Sequence, residues 1–322
     1  MHSGWSMHKF ISLAVLMMAI ISGSTPGRAD ESANRVLILG GGGPAGEAWE
    51  SGIIAGLKEK GIELAHADRI IGTSAGSIVG ARLASKMSDA DFINAALEPA
   101  DDGPKPPPWQ KPPDLSFLAT KLAEMNAGKR PRQDIRAEIG AWAMRVHPVI
   151  TETEFVSGYQ RRFPQSRWPD PRFEAISVDA KDGLLRTWNE SSGVPLAMAV
   201  AASCALPGVF APVTIDGHRY MDGGVRSVTN ADLARGCKVA IILAPTAGLN
   251  DPIATDFTFF LDDEMRTLRA SGCTVELITP DVASIKAFGA SIGDEHHRAP
   301  PLEAGRAQGR NKASALAAFW RD

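Results

Sequence analysis

The sequence has no Cys-x-x-Cys pair, no His-Glu-x-x-His pair and no long tract of lysine and arginine. The first two absences leave no metal-ligand spacing and no dithiol redox centre to argue from. The third, with a formal net charge of −3, removes the phosphate-neutralising stripe that nucleic-acid binding requires. Cysteine is scarce: Cys204, Cys237 and Cys273 are the only three, too few and too scattered for a disulfide framework. Each reads as a small core residue, and an oxidising compartment would allow one bridge between a pair that the sequence does not choose.

Long apolar runs are missing as well. The run Phe10 to Ile21 counts twelve residues, where a bilayer-crossing helix needs about 20. It follows Lys9 and leads into the small and turn-forming residues Ser22 to Gly27, the layout of a secretory signal peptide. Cleavage after Ala29, with Gly27 at −3, would release a chain beginning at Asp30. Residues 1–29 are therefore expected to direct export, to the periplasm or the cell exterior in a bacterial source, with an uncleaved anchor as the alternative.

What remains is globular in composition, 44% apolar and 22% charged. Short apolar runs alternate with helical stretches, which predicts an α/β fold with a largely parallel sheet over residues 30–322. Val36–Leu39 is a buried strand emptying into four glycines, followed by a helix from Ala45 to Lys60 that Gly61 stops. Arg69–Ile71 is a second strand and Ser77–Ala84 a second helix. Residues 99–113 are rich in proline, so regular structure breaks there. Helices are expected over Leu115–Asn126 and Ile135–Val146, and with the proline segment they form either a cap over a site or a plain spacer. Trp109, amid the prolines, offers at most a transient contact with a lipid interface.

Phe173–Val178 and Leu184–Trp188 read as a hairpin turning at Lys181-Asp182-Gly183. Pro195–Ala202 reads as a helix, and Val213–Tyr220 as a hairpin turning at Asp216-Gly217. Val239–Leu243 and Val275–Ile278 complete the strands, and Ala304–Trp320 is a closing helix. There is no internal repeat.

Chemistry concentrates at Gly72-Thr73-Ser74-Ala75-Gly76, a Gly-x-Ser-x-Gly run lying where a strand meets a helix. Such an elbow is so sharp that its flanks must lack side chains, and it leaves the hydroxyl at a helix N-terminus, where negative charge is favoured. Gly40 to Gly43 let backbone N–H groups converge on an anion, a ready oxyanion hole. Gly41, Gly43 and Gly46 also fit the dinucleotide fingerprint, but the second strand runs into Ser74 where that reading wants a ribose-binding acid. A serine nucleophile needs a base. His296 and His297 lie late enough in the chain for a Ser-Asp-His triad, and Asp222-Gly223-Gly224 offers a carboxylate on a loop whose glycines permit close approach.

These residues together resemble the patatin-like phospholipases. The resemblance rests on Gly40–Gly43, on the Gly72–Gly76 elbow, on Ala202-Ser203-Cys204-Ala205-Leu206-Pro207-Gly208-Val209-Phe210, and on Asp222-Gly223-Gly224, in the family's order over roughly Val36 to Ile242. It implies a three-layer α/β/α sandwich and a metal-independent, cofactor-free hydrolase of acyl esters in lipids. Ser74 would be the nucleophile, Asp222 its base in a catalytic dyad, and amides within Gly41, Gly42 and Gly43 the oxyanion hole. Desolvation would raise Asp222 from the ordinary aspartate value near 3.9 to make it a competent base. One departure concerns the substrate: family members often carry Arg or Lys just after the glycines, where this chain has Ala45, which puts phospholipid preference in doubt. The alternatives are an esterase with a triad through His296 or His297, and a nucleotide-binding or interaction protein without catalysis.

Overall fold

Four successive positions of β1 (Arg35–Leu39), Val36 to Leu39, are buried, so this strand has no solvent face. Its side chains sort by parity: Leu37 and Leu39 enter one apolar cluster, Val36 and Ile38 another. Ile70 and Ile71 of β2 (Arg69–Thr73) divide the same way, as do Ala175 and Ile176 of β3 (Phe173–Asp179) and Ile241 and Ile242 of β7 (Val239–Leu243). A sheet buried on both faces makes the middle layer of three. The protein, described by a computed structural model over residues 34–99, 114–148, 150–165, 167–249 and 260–320, is an α/β/α sandwich. Residues 1–29 and most of the proline-rich segment, with Trp109, lie outside the described residues.

The sheet runs β5-β6-β3-β2-β1-β7-β8, with β4 (Leu185–Trp188) also on β3. The pairs β3/β2, β2/β1, β1/β7 and β7/β8 (Thr274–Ile278) are parallel. β4, β5 (Val213–Ile215) and β6 (His218–Asp222) pair antiparallel at one end. Both expected hairpins form, and Asp216 and Gly217 both take positive φ, as the tight turn joining β5 to β6 requires.

One face is packed by α1 (Gly43–Lys58), α2 (Ala75–Ala84) and α7 (Leu196–Ser203), the other by α8 (Leu261–Ala270). Helices α3 (Asp89–Leu97), α6 (Glu152–Arg162) and α9 (Val282–Ala287) were not anticipated, although Ser88, Thr151 and Asp281 cap them with side-chain hydrogen bonds. The closing helix α10 (Ala299–Leu316) begins earlier than expected, because Pro300 and Pro301 occupy its first turn, where proline costs no hydrogen bond. The expected pair α4 (Ser116–Asn126) and α5 (Arg132–Ala143) packs against Val178 and Met221 of the sheet.

α1 and α10 cross at backbone contact. A Cβ on Gly52 would meet Leu302 O at 2.1 Å, one on Gly56 Arg306 O at 2.1 Å, one on Gly305 Trp49 O at 2.3 Å and one on Gly309 Ile53 O at 2.4 Å. Each helix thus offers a Gly-x-x-x-Gly face, and the crossing fixes α1, whose N-terminus is the glycine run. Gly305→Ala should lower stability by about 3 kcal/mol through overpacking, despite alanine's better helix propensity. A urea midpoint at or above that of the wild type would show that the helices can separate to admit a methyl group.

Candidate active site

Register on β3 brings the two halves of the site together. Ile176 pairs with Thr73 of β2 and with Thr187 of β4, while Ser177 pairs with Asp222 of β6 and with Arg186 of β4. β4 therefore holds one edge of β3, and β2 and β6 share the other, running toward each other. Their C-terminal ends meet where Ser74 leaves β2 and Asp222 ends β6.

Ser74 turns the chain from β2 into α2 with φ 52° and ψ −120°, a left-handed, strained conformation for a residue with a side chain. The flanking glycines are steric requirements: a Cβ on Gly72 would sit 2.5 Å from Gly76 O, and one on Gly76 2.1 Å from Leu39 O. The Ser74 amide donates to Ser203 Oγ at 3.0 Å, and the Asp222 amide to Ala205 O at 3.0 Å. The Ala202–Phe210 stretch thus anchors both residues.

The Asp222 carboxyl is 3% exposed and accepts a hydrogen bond from the Gly224 amide at 2.7 Å; the Ser74 hydroxyl faces it and, as a donor, also lowers its pKa. Burial pushes its pKa up to about 7, against the opposing pull of those two donors. Of the glycine run, Gly40 N–H donates to Leu243 O and Gly41 N–H to Val228 O at 2.9 Å. Among the described residues the amides of Gly42 and Gly43 have no such partner. They stand at the start of α1 as Ser74 stands at the start of α2, so two helix N-termini face one point.

These groups line one cavity of about 320 Å³ whose wall is mostly apolar, with Ile78, Tyr159, Leu206, Val209, Phe210 and Ile292, and also includes the charged Glu47, Arg162 and Glu295. A larger groove, of about 910 Å³, lies beside α1 and α3; its Lys58, Arg82 and Arg306 are ion-paired, and it contains no nucleophile with a base. Among the described residues no three His, Cys, Asp or Glu side chains are grouped to hold a metal ion.

The family model for patatin-like phospholipase matches residues 37–235. The chain belongs to this family. Curated relatives include patatin-like phospholipase domain-containing protein 7 of Rattus norvegicus, 29% identical over 70% of this chain, and protein 6 of Homo sapiens, 27% identical over 70%. The chain spans 14% of the length of each of those relatives. Solved structures similar to it include VipD from Legionella pneumophila, at 12% identity and TM-score 0.47 over 88% of this chain and 67% of that one. The type III effector ExoU aligns at 17% identity and TM-score 0.36, covering 86% of this chain and 53% of its own.

Within this patatin-like domain the structure brings the sequence-derived residues Ser74, Asp222, Gly72 and Gly76 together. Of the three glycines expected to offer amides to an oxyanion, Gly41 has its N–H on Val228 O, while Gly42 and Gly43 have no such partner among the described residues. His296 and His297 do not join the site. Neither lines the cavity, and the His297 ring is turned onto Ala287 O at 2.8 Å. Helices α4 and α5 contribute nothing to the cavity wall, which is closed instead by Tyr159 and Arg162 of α6. Ala45, where the family often has a cation, is buried with its amide on Ile292 O at 3.1 Å, leaving no room for a long side chain. The cavity nevertheless has a guanidinium, that of Arg162.

Val228 and Asn230 escaped the sequence reading, and Ser203 enters it only as part of the Ala202–Phe210 stretch, without a role. The Asn230 amide bonds Thr73 Oγ1 at 3.1 Å and Ser227 O at 2.5 Å, tying the loop after Asp222 to the strand before Ser74. Buried Glu264 accepts from Thr229 Oγ1 and the Ala231 amide and holds the same loop. The only signal in the sequence was the proximity of Val228 and Asn230 to the Asp-Gly-Gly turn.

Proposed function

We propose that this protein is a lipid acyl-hydrolase in which Ser74 attacks a carboxylic ester and Asp222 is the general base. The observation that carries the reading is the buried Asp222 carboxyl facing Ser74 in one cavity, beside the free amides of Gly42 and Gly43. In acylation Asp222 takes the Ser74 proton as Oγ bonds to the carbonyl carbon, and the oxyanion is held by the two amides. Collapse expels the alcohol, which leaves with the proton from Asp222. A water then repeats the sequence on the acyl-enzyme, with Asp222 again as base, and frees the acid.

The apolar wall suits an acyl chain, which on entry would displace water and strengthen the electrostatics around the dyad. At roughly 30 Å³ per heavy atom, 320 Å³ accommodates about ten carbons. Hydrolysis of p-nitrophenyl esters of graded length by the mature chain should therefore rise in kcat/KM up to about ten carbons and then level off. A serine-directed phosphonate should label the wild type but not Ser74→Ala, and the double change His296→Ala plus His297→Ala should leave the rate within about twofold. Loss of activity in the histidine variant would instead favour the triad; absence of labelling with no hydrolysis would favour a silent member of the fold. The Cys237–Cys273 disulfide supports the export expected from residues 1–29.

A further inference from the structure

Gly40 is the residue on which the two halves of the site meet. Its carbonyl accepts the Gly76 amide of the elbow helix at 3.0 Å, and its own amide donates both to Leu243 O at 3.0 Å and to Glu50 Oε1 at 2.8 Å. Glu50 lies on the inner face of α1 with 0% exposure. Its second oxygen, Oε2, is sealed from solvent without a hydrogen-bond partner. Burial holds this carboxyl well above the usual range, and the charge that bears on it is another acid, Glu47. Its charged form is therefore penalised where it sits.

Stability does not account for such a group. The Gly40 amide already has the strand carbonyl of Leu243, so Glu50 rescues no orphan donor. A half-satisfied buried acid costs free energy that an apolar side chain of the same length would not. A polar group that burdens the core and touches one peptide of a functional segment is what a site requirement leaves behind.

We propose that Glu50 is a positioning residue for the oxyanion-binding amides: its carboxyl grips the Gly40 peptide from the core and thereby fixes where Gly42 and Gly43 present their N–H groups. Val228 O does the same for Gly41 from the opposite side, through the loop that follows Asp222. The first two glycines of the run are clamped and the last two are left for substrate. A displacement of about 1 Å in such donors can cost on the order of 100-fold in rate, which a slack Gly40 would allow. This inference rests on the reading of Ser74 and Asp222 as nucleophile and base.

The test compares Glu50→Met, Glu50→Gln and Ser74→Ala in steady-state ester hydrolysis and urea denaturation. Glu50→Met should be at least as stable as the wild type, with kcat lower by about 10- to 100-fold and KM nearly unchanged. Glu50→Gln keeps an acceptor for Gly40 and should hold kcat within about threefold. Wild-type kcat in Glu50→Met, or equal impairment in both variants, overturns the inference. So does a Glu50→Met protein that fails to fold, since the carboxyl would then have a structural role. If Ser74→Ala abolishes hydrolysis while Glu50→Met is unimpaired, only this inference fails; if Ser74→Ala retains hydrolysis, the dyad reading fails first.

Discussion

Asp222→Asn should lower kcat/KM by about 10²–10⁴-fold, the range for a lost general base, and at the same time make the protein more stable above neutral pH. The second effect follows from where the carboxyl sits. Its folded pKa of about 7 lies above the ordinary 3.8, because burial penalises the charged form. A raised acid gives its full stability below about pH 4 and loses it as pH rises through 7. The gap corresponds to about 4 kcal/mol lost by pH 9. Asparagine cannot ionise, can still accept from Gly224 N–H, and avoids that loss. Denaturation at pH 4 should find the two proteins nearly equal; at pH 9 the variant should be ahead by about 4 kcal/mol. Glu264, which burial also raises, is common to both proteins and cancels in the difference. The wild-type rate should climb through about pH 7 as Asp222 becomes a base, while its stability falls. A variant within tenfold of wild-type activity would remove Asp222 from the mechanism. A stability difference that does not widen with pH would mean that the carboxyl is not desolvated.

How much of this was legible depends on the range of the forces involved. The elbow could be read because part of its strain is local: Ser74 itself takes φ 52° and Gly72 is required by Gly76 O four residues on, whereas Gly76 is required by Leu39 O across the sheet. The turn at Asp216 and Gly217 is local in the same way. The pairing of Ser74 with Asp222 became legible only through a family resemblance, since it depends on β2 and β6 meeting on one edge of β3, residues far apart in sequence. No local pattern reports that the Gly41 amide is spent on Val228 O, or that Ser203 receives the Ser74 amide. Helix α6 was missed despite its capping box at Thr151 and Glu154, and with it went the residues Tyr159 and Arg162 that close the cavity. The glycines inside α1 and α10 drew no reading from the sequence, yet they mark a crossing too close for side chains.

Replacing Cys237 and Cys273 together by alanine should cost about 4 kcal/mol, from the entropy that a cross-link spanning 36 residues removes from the unfolded chain. Against a total of about 5–15 kcal/mol for a typical domain, that is a large share, equivalent to a fall in melting temperature of about 10 °C. The position explains why a bridge matters here. Cys237 lies just before β7 and Cys273 just before β8, and Val239 pairs with Thr274 where the two parallel strands begin. Among the described residues β8 ends the sheet with only β7 beside it, so the cross-link pins an edge strand at its entry. Cys204, buried with its Sγ 3.6 Å from Ser77 Oγ, takes no part in the bridge. Reductant separates the bridge from the packing of its sulfur atoms. It should lower the melting temperature of the wild type toward that of the double variant and leave the variant unmoved. A wild type indifferent to reductant would mean that the bridge does not form, and the expectation of export would then lose its structural support, because a closed bridge of this kind belongs to an oxidising compartment.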